Sequence, residues 1–371
     1  MRFICCSAMP DVCEPAERPV VFEATEATSC EFDELHTSVA VLLAECDEPL
    51  FHEAGVWIPS SSEWLVTSDR LQQNTLATNV KIIALHHPSG NVRRLRALEE
   101  AIEMGNGGTT DFKGGAFLCS QGLGSVSGSL WHIDKTLSVA TRLGPEAGLT
   151  LNSPNDLVLH KSSGHLLFTD PAYGLESQGF RAAPFDTAKA VWAVPSHPQK
   201  CSDLAEWRRV DRRADEPNGV LLSPDEKTAY VSDVWSGKWA RGKQLRHACP
   251  GGERSCVFAY DVVHDGQHGS APSLANARKL IDLCDKKEVD TGAEGYPDGL
   301  KCDVRGNLYA GCGDGVRVYS PDGSYLGRIK VKGGVSNLCY SGHDGKTLLL
   351  LNKKRAFAVR MKVKGAIICD E

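Results

Sequence analysis

The sequence predicts an all-β chain: a six-bladed β-propeller with a metal site in its central channel. Three observations carry that reading. A hairpin-sized motif recurs along the chain, its copies are spaced for four strands each, and Gly and Pro punctuate them. The clearest copies run from Pro154-Asn155-Asp156 to Asp170 and from Pro217-Asn218-Gly219 to Asp233, each with 15 residues from Asn to the closing Asp.

The other copies follow the same plan. Pro297-Asp298-Gly299 leads to Gly306–Gly311, with Cys312 where a closing acid would stand. Glu53–Ile58 leads to Glu63–Asp69 with an interval of 16, and Asn106-Gly107 leads to Phe117–Gln121 with an interval of 15. The weakest copy joins Ser336–Tyr340 to Thr347–Asn352. Each is an apolar-rich strand, a turn built from Gly, Pro, Ser, Asp or Lys, and a second strand. A proline ahead of a first strand is tolerated because no ladder N–H is asked of it there. The copies start at 53, 106, 155, 218, 298 and 336, about 57 residues apart on average. That spacing leaves room for two more strands per unit. Ala190–Val194, Ser255–Tyr260 and Gly315–Tyr319 are candidates for them. A β-solenoid has shorter, more uniform repeats, and a two-sheet sandwich does not explain six copies. Asn91–Met104 is the best helical stretch.

Composition bounds the function. The chain has 371 residues, 41 Lys+Arg against 47 Asp+Glu, and a net charge of −6. That balance gives no nucleic-acid footprint, and no apolar run is long enough for a membrane span. Residues 1–48 hold 11 acidic and 2 basic residues and read as an acidic extension, a solvated arm. Within it Val39–Ala44 is a strand or a short helix. Residues 49–371 then form the propeller as one domain. The first ten residues are too poor in apolar side chains for a secretory signal, so the expected location is cytoplasmic. The 14 cysteines contain no C-x-x-C pair. Free thiols are the plainer reading, although Cys249 and Cys256 flank a Gly-rich loop and could be bridged.

The chemistry sits at the head of each copy. Glu53, Asn155, Asn218 and Asp298 are expected at equivalent positions, and equivalent positions on different blades face one another around a propeller's channel. Singly, each reads as an ordinary turn residue. Together they are four oxygen donors, two carboxylates and two amides, with no His or Cys. Such a set suits Ca2+, with Mg2+ or Mn2+ next and Zn2+ less well matched. Four protein donors leave positions for water or substrate.

The runs FHEAGVWIP, NSPNDLVLH, LLFTDPAYG, EPNGVLLSPDEKTAYVSD, YPDGLKCDVRGNLYAGCGDGVRVYSPDG and GGVSNLCYSG resemble the gluconolactonase/senescence-marker-protein family (regucalcin and its relatives), in the style of its fungal lactonohydrolase-like members. The resemblance covers about residues 50–365. It implies a divalent cation, usually Ca2+, held by Glu53, Asn155, Asn218 and Asp298. It also implies a general-base or nucleophile role for Asp298.

The expected activity is therefore hydrolysis of a sugar lactone or a lactone-containing metabolite, with Asp298 assisting water attack on a polarised carbonyl. Asp170, Tyr173, Asn106 and Gln121 are candidate substrate contacts. Asp156 could orient Asn155, and His52 reads as a neighbour of the site. The partner is a small molecule, with no nucleic acid and no membrane. The same site could serve a phosphotriester or a biosynthetic rearrangement, or the propeller could be a calcium-dependent binding module. Residues 234–256 form a long insertion that could shape substrate choice as a rim or lid. Substrate identity, native metal and oligomeric state are not legible.

Overall fold

The computed structural model describes residues 20–71, 79–144, 148–176, 178–181, 189–211, 214, 216–234, 239–240, 243–244, 255–264, 269–283 and 296–367. Six antiparallel sheets follow one another as the repeat predicts. Blade 1 comprises Glu53–Ile58, Glu63–Thr67, Ile82–His86 and Val92–Arg94. Blade 2 comprises Gly105–Thr110, Ala116–Ser120, Ser129–Ile133 and Ala140–Leu143. Blade 3 takes Leu157–His160, His165–Asp170, Ala190–Pro195 and Arg208–Asp211. Blade 4 takes Pro217–Leu222, Thr228–Asp233, Cys256–Val263 and Ser273–Asp282. Blade 5 holds Leu300–Cys302, Leu308–Cys312, Gly315–Tyr319 and Tyr325–Val331, and blade 6 holds Asn337–Ser341, Thr347–Asn352 and Arg355–Met361. Neighbouring inner strands touch in the order 1-2-3-4-5-6-1, so the ring is closed.

Each blade is covered on both faces by its neighbours. Its middle strands therefore read as unbroken apolar runs rather than alternating ones. Thr347–Asn352, with four consecutive leucines, is buried at every position. Every junction between blades has its own apolar cluster. Val56, Leu65 and Leu118 fill the junction of blades 1 and 2, and Phe117, Leu157 and Phe168 that of blades 2 and 3. The others are built likewise. Stability is thus distributed around the ring.

Two readings change in detail. The helical stretch Asn91–Met104 splits into the strand Val92–Arg94 and one short helix, Arg96–Ala101, whose Leu98 packs under the junction of blades 1 and 2. The acidic segment read as a solvated arm is in part structural. Val20–Glu23 adds a fifth strand to blade 5, and His36–Glu45 supplies the outer strand of blade 6. Val39–Ala44 is therefore strand, and Phe32 and Leu35 are buried between those blades. Blade 6 joins a strand from near the start of the chain to three from near its end. No helix of the described residues is long and apolar enough to cross a membrane. The pairing of Cys249 with Cys256 and most of the insertion 234–256 lie outside the described residues.

His36 makes this docked segment sensitive to acid. Its ring lies against Phe22 and Phe32, and its Nδ1 accepts the Ser38 N–H at 3.1 Å. Burial lowers its pKa to about 4. The neutral ring is the form that fits, so its contribution is complete above pH 6.5 and is lost as pH falls toward 4. Thermal midpoints measured across that window should fall for the wild type. In His36→Gln the fall should be shallower, and parallel curves would remove His36 as the cause.

Candidate metal centre and active site

A circuit of six hydrogen bonds fixes the inner ends of the blades. Thr67 Oγ1 donates to the Asn106 carbonyl at 3.0 Å, and the Gly107 N–H donates to the Asn155 carbonyl at 2.8 Å. Thr169 Oγ1 donates to the Asn218 carbonyl at 2.6 Å, and Ser232 Oγ to that of Asp298 at 2.9 Å. The Gly299 N–H donates to the Ser336 carbonyl at 2.9 Å, and Ser336 Oγ closes the circuit on the His52 carbonyl at 2.7 Å. Each blade thus grips the backbone at the head of another. Three donors are Thr or Ser side chains near the end of a second strand, two are glycine N–H groups just past a head, and the last is the hydroxyl of Ser336, itself a head residue.

This circuit defines the head positions: His52, Asn106, Asn155, Asn218, Asp298 and Ser336. The strand ladders give the same register. The Asn155 N–H donates to Thr169 and the Asp298 N–H to Gly311, as the His52 N–H does to Thr67. Asn155, Asn218 and Asp298 are therefore equivalent, as expected. Glu53 is not level with them. It stands one place further on, beside Asp156, Gly219, Gly299 and Asn337. Its strand bulges between Ala54 and Val56, with Ala54 and Gly55 at φ of 64° and 69°. That extra residue accounts for the interval of 16.

Glycines in this second row make the approach possible. A Cβ on Gly107 would lie 2.6 Å from Asp156 Oδ1, and one on Gly299 would lie 2.4 Å from Asn337 Oδ1. Asn337 uses that space to donate from Nδ2 to Glu53 Oε2 at 2.7 Å. Asn337 is a site residue that the sequence alone does not mark. Its only trace there is the Ser-Asn head of the weakest copy.

The acids are concentrated and buried. Glu53 is 3% exposed, and its pKa is raised well above the ordinary carboxylate range by burial, then by Asp298 and Asp156. Burial, with Asp156 adding repulsion, raises Asp298 to about 7, and a hydrogen bond from Asn218 works against the rise. Asp156, also raised by burial, accepts the Leu157 N–H at 2.9 Å. The structure thus joins Glu53, Asn218 and Asp298 through direct or electrostatic contact. Asn155 enters beside Asp156, and its Oδ1 is buried without a partner among the described residues. Among the described residues no cluster of three or more His, Cys, Asp or Glu side chains is disposed to hold a metal. Two of the four candidates here are amides, and the donor set fits a hard cation. Its carboxylates repel one another, and the Asn155 oxygen has no other occupation.

The remaining candidates divide. Asn106 Oδ1 is a second buried oxygen without a partner among the described residues, on the blade between Glu53 and Asn155. Tyr173 is buried and feels Glu216, Asp298, Asp233 and Glu53, which places it beside the acids. Gln121 is buried, with its carbonyl accepting Arg181 Nη1 at 3.2 Å. The Asp170 carboxylate accepts the Asn152 and Ser153 N–H groups at 3.0 and 2.8 Å. Those two residues lead into Asn155. Asp233 accepts the Glu216 N–H at 3.0 Å two residues ahead of Asn218, and Asn352 Nδ2 reaches the Lys332 carbonyl at 3.3 Å. The closing residues of the repeat thus clamp the segments that deliver the heads. His52 is a head residue whose Nδ1 is buried without a partner among the described residues, and its Nε2 lies 4.0 Å from Asp69.

Comparison with known proteins agrees with this architecture. Residues 251–353 match the SMP-30/Gluconolactonase/LRE-like region. A gluconolactonase of Zymomonas mobilis is 32% identical over 220 residues, covering 59% of this chain and 53% of that protein. The chain thus spans about half of that relative's length. A lactonohydrolase of Aspergillus oryzae is 28% identical over 327 residues, covering 86% and 70%. Among solved structures, a gluconolactonase from Xanthomonas campestris superposes with a TM-score of 0.67 at 23% identity, covering 92% and 95%. A calcium-binding regucalcin from Agrobacterium tumefaciens does so with a TM-score of 0.57 at 20% identity, covering 88% and 95%. At those identities the superpositions speak for the fold. The chain is thus similar to proteins of the SMP-30/gluconolactonase/LRE family, the resemblance that the motifs along its blades predict.

Proposed function

We propose that this chain hydrolyses a lactone at the mouth of its channel, with a divalent cation, calcium by preference, held by Glu53, Asn155, Asn218 and Asp298. The reading is carried by one observation: Glu53, Asn218 and Asp298 arrive from three separate blades at one buried group, whose two carboxylates repel each other while the amide hydrogen-bonds to Asp298. A scaffold has no use for such an arrangement. The named activities of the Zymomonas and Aspergillus relatives support the reaction class, and the calcium-binding regucalcin fold supports the ion.

Bound there, the cation would supply Lewis acidity toward a lactone carbonyl oxygen. The chain's own residues do the rest. Asn218 hydrogen-bonds to the Asp298 carboxylate and fixes its direction. Asp298 takes a proton from the attacking water as the new C–O bond forms. It returns that proton to the ring oxygen as the ester bond breaks, leaving an open hydroxy acid. Asn337 holds Glu53 and Asp170 holds the approach to Asn155, so the donors are in place before substrate arrives.

The test is hydrolysis of D-glucono-δ-lactone and an aromatic lactone by chelated protein, with Ca2+, Mg2+, Mn2+ and Zn2+ restored one at a time. A phosphotriester runs beside them. Turnover should vanish on chelation and return most fully with Ca2+. Metal binding with no lactone opened would overturn the reading, and phosphotriester turnover alone would replace it.

A further inference from the structure

Three places beyond its head residue, blade 3 has Val158, blade 4 has Leu221 and blade 6 has Cys339, and each is buried in a junction between blades. The same place on blade 5, three beyond Asp298, is Lys301. A charge thus stands in a row that is otherwise apolar on these blades. The flanking Leu300 and Cys302 are buried against blade 4, whereas Lys301 is only half-buried. Its ammonium donates to the Leu300 carbonyl at 3.1 Å and makes no ion pair among the described residues. Its charge nonetheless bears on Glu53 of blade 1, on Asp156 of blade 3 and on Cys339 of blade 6, opposing the raised pKa of each. A side chain of blade 5 reaches blades 1, 3 and 6 together only from the channel that they surround.

The charges at the inner ends of the blades can then be balanced. Glu53, Asp156 and Asp298 are three carboxylates close enough to repel one another. A divalent cation offsets two of them, and a third negative charge left unpaired in a water-poor channel is costly. Building on the metal reading above, we propose that Lys301 is the third, permanent counter-charge of this site, and that it biases the site toward divalent over trivalent cations. A fixed positive charge weakens the binding of a cation in proportion to that cation's own charge. Lys301 therefore penalises a trivalent ion half as much again as a divalent one. In the cation-free protein the same ammonium offsets the repulsion among the acids.

The test is calorimetric binding of Ca2+ and La3+ at pH 8 to the wild type, Lys301→Met and Lys301→Arg. Lys301→Met should bind Ca2+ about tenfold tighter and La3+ about thirtyfold tighter, the ratio that two and three charges impose. Lys301→Arg keeps the charge and should bind both ions within about twofold of the wild type. A lysine that only fills the junction would shift the melting midpoint and leave both affinities unchanged, which overturns the inference. So does an equal gain for the two ions. If the wild type and both variants bind neither ion, the metal reading fails separately. The counter-charge is then decided on the cation-free protein by a double-mutant cycle. At pH 8 Lys301→Met should cost several degrees more in melting midpoint with Asp156 present than in Asp156→Asn, and equal costs in the two backgrounds overturn it.

Discussion

Asp298→Asn should lower lactone turnover about a thousandfold, the range expected when a positioned base is lost, while making the cation-free protein more resistant to heat. The two halves have one cause. Burial and the neighbouring Asp156 raise the Asp298 pKa from 3.8 to about 7. An acid whose pKa is raised by folding is held in its neutral form. Stability therefore falls as pH climbs from about 4 toward 7, where the folded chain must ionise a group it has buried. Asparagine keeps the shape and removes that charge, and it also relieves Glu53, whose own pKa is raised in part by Asp298. At pH 8 without metal, the variant should melt a few degrees above the wild type. Calcium should reverse the order, raising the wild-type midpoint by mass action and the variant's far less. Scanning calorimetry with and without calcium reads both effects. An equal calcium shift in the two proteins would remove Asp298 from the ligand set. A variant retaining a tenth of the turnover would remove it from water activation.

The repeat makes most of this visible. Asn155, Asn218 and Asp298 can be placed on one ring because each precedes an apolar strand at a fixed distance from a second one. Glu53 stands out for its chemistry, a glutamate with no turn role, but its offset is hidden by a bulge that only the ladder with Glu63–Thr67 reveals. Asn337 is not legible for a different reason. What it does depends on a residue from another blade: Glu53 lies 284 positions from Asn337. No local pattern records such a pair. The closing acids Asp170 and Asp233 are visible as a motif, yet their grip on the approach to Asn155 and Asn218 is a matter of where backbone N–H groups fall.

Removing residues 1–46 should destabilise the propeller severely, although the segment is acidic and holds none of the candidate ligands. The charge pattern suggests a solvated arm, and much of the strand His36–Glu45 is exposed: Thr37, Ser38 and Glu45, together with Val39, Val41 and Leu42. The pairing decides otherwise. That strand runs antiparallel to Arg355–Met361, and without it blade 6 ends in an open edge carrying Phe357 and Val359. Phe32 and Leu35 leave the junction of blades 5 and 6 at the same time. Their burial alone is worth about 3–6 kcal/mol, so the thermal midpoint should fall by more than about 5 °C and the truncated chain should self-associate. Midpoint and hydrodynamic size report the two consequences separately. The double substitution Phe32→Ala/Leu35→Ala keeps the strands and removes only the apolar contacts. If it melts like the truncation, the core contacts dominate. If it stays monomeric while the truncated chain associates, the covered edge matters on its own account. An unchanged midpoint in both would return the segment to the arm that its composition suggests. A closed ring holds its six heads in register only while every blade is complete, so loss of this segment should also weaken calcium binding at Glu53, Asn155, Asn218 and Asp298.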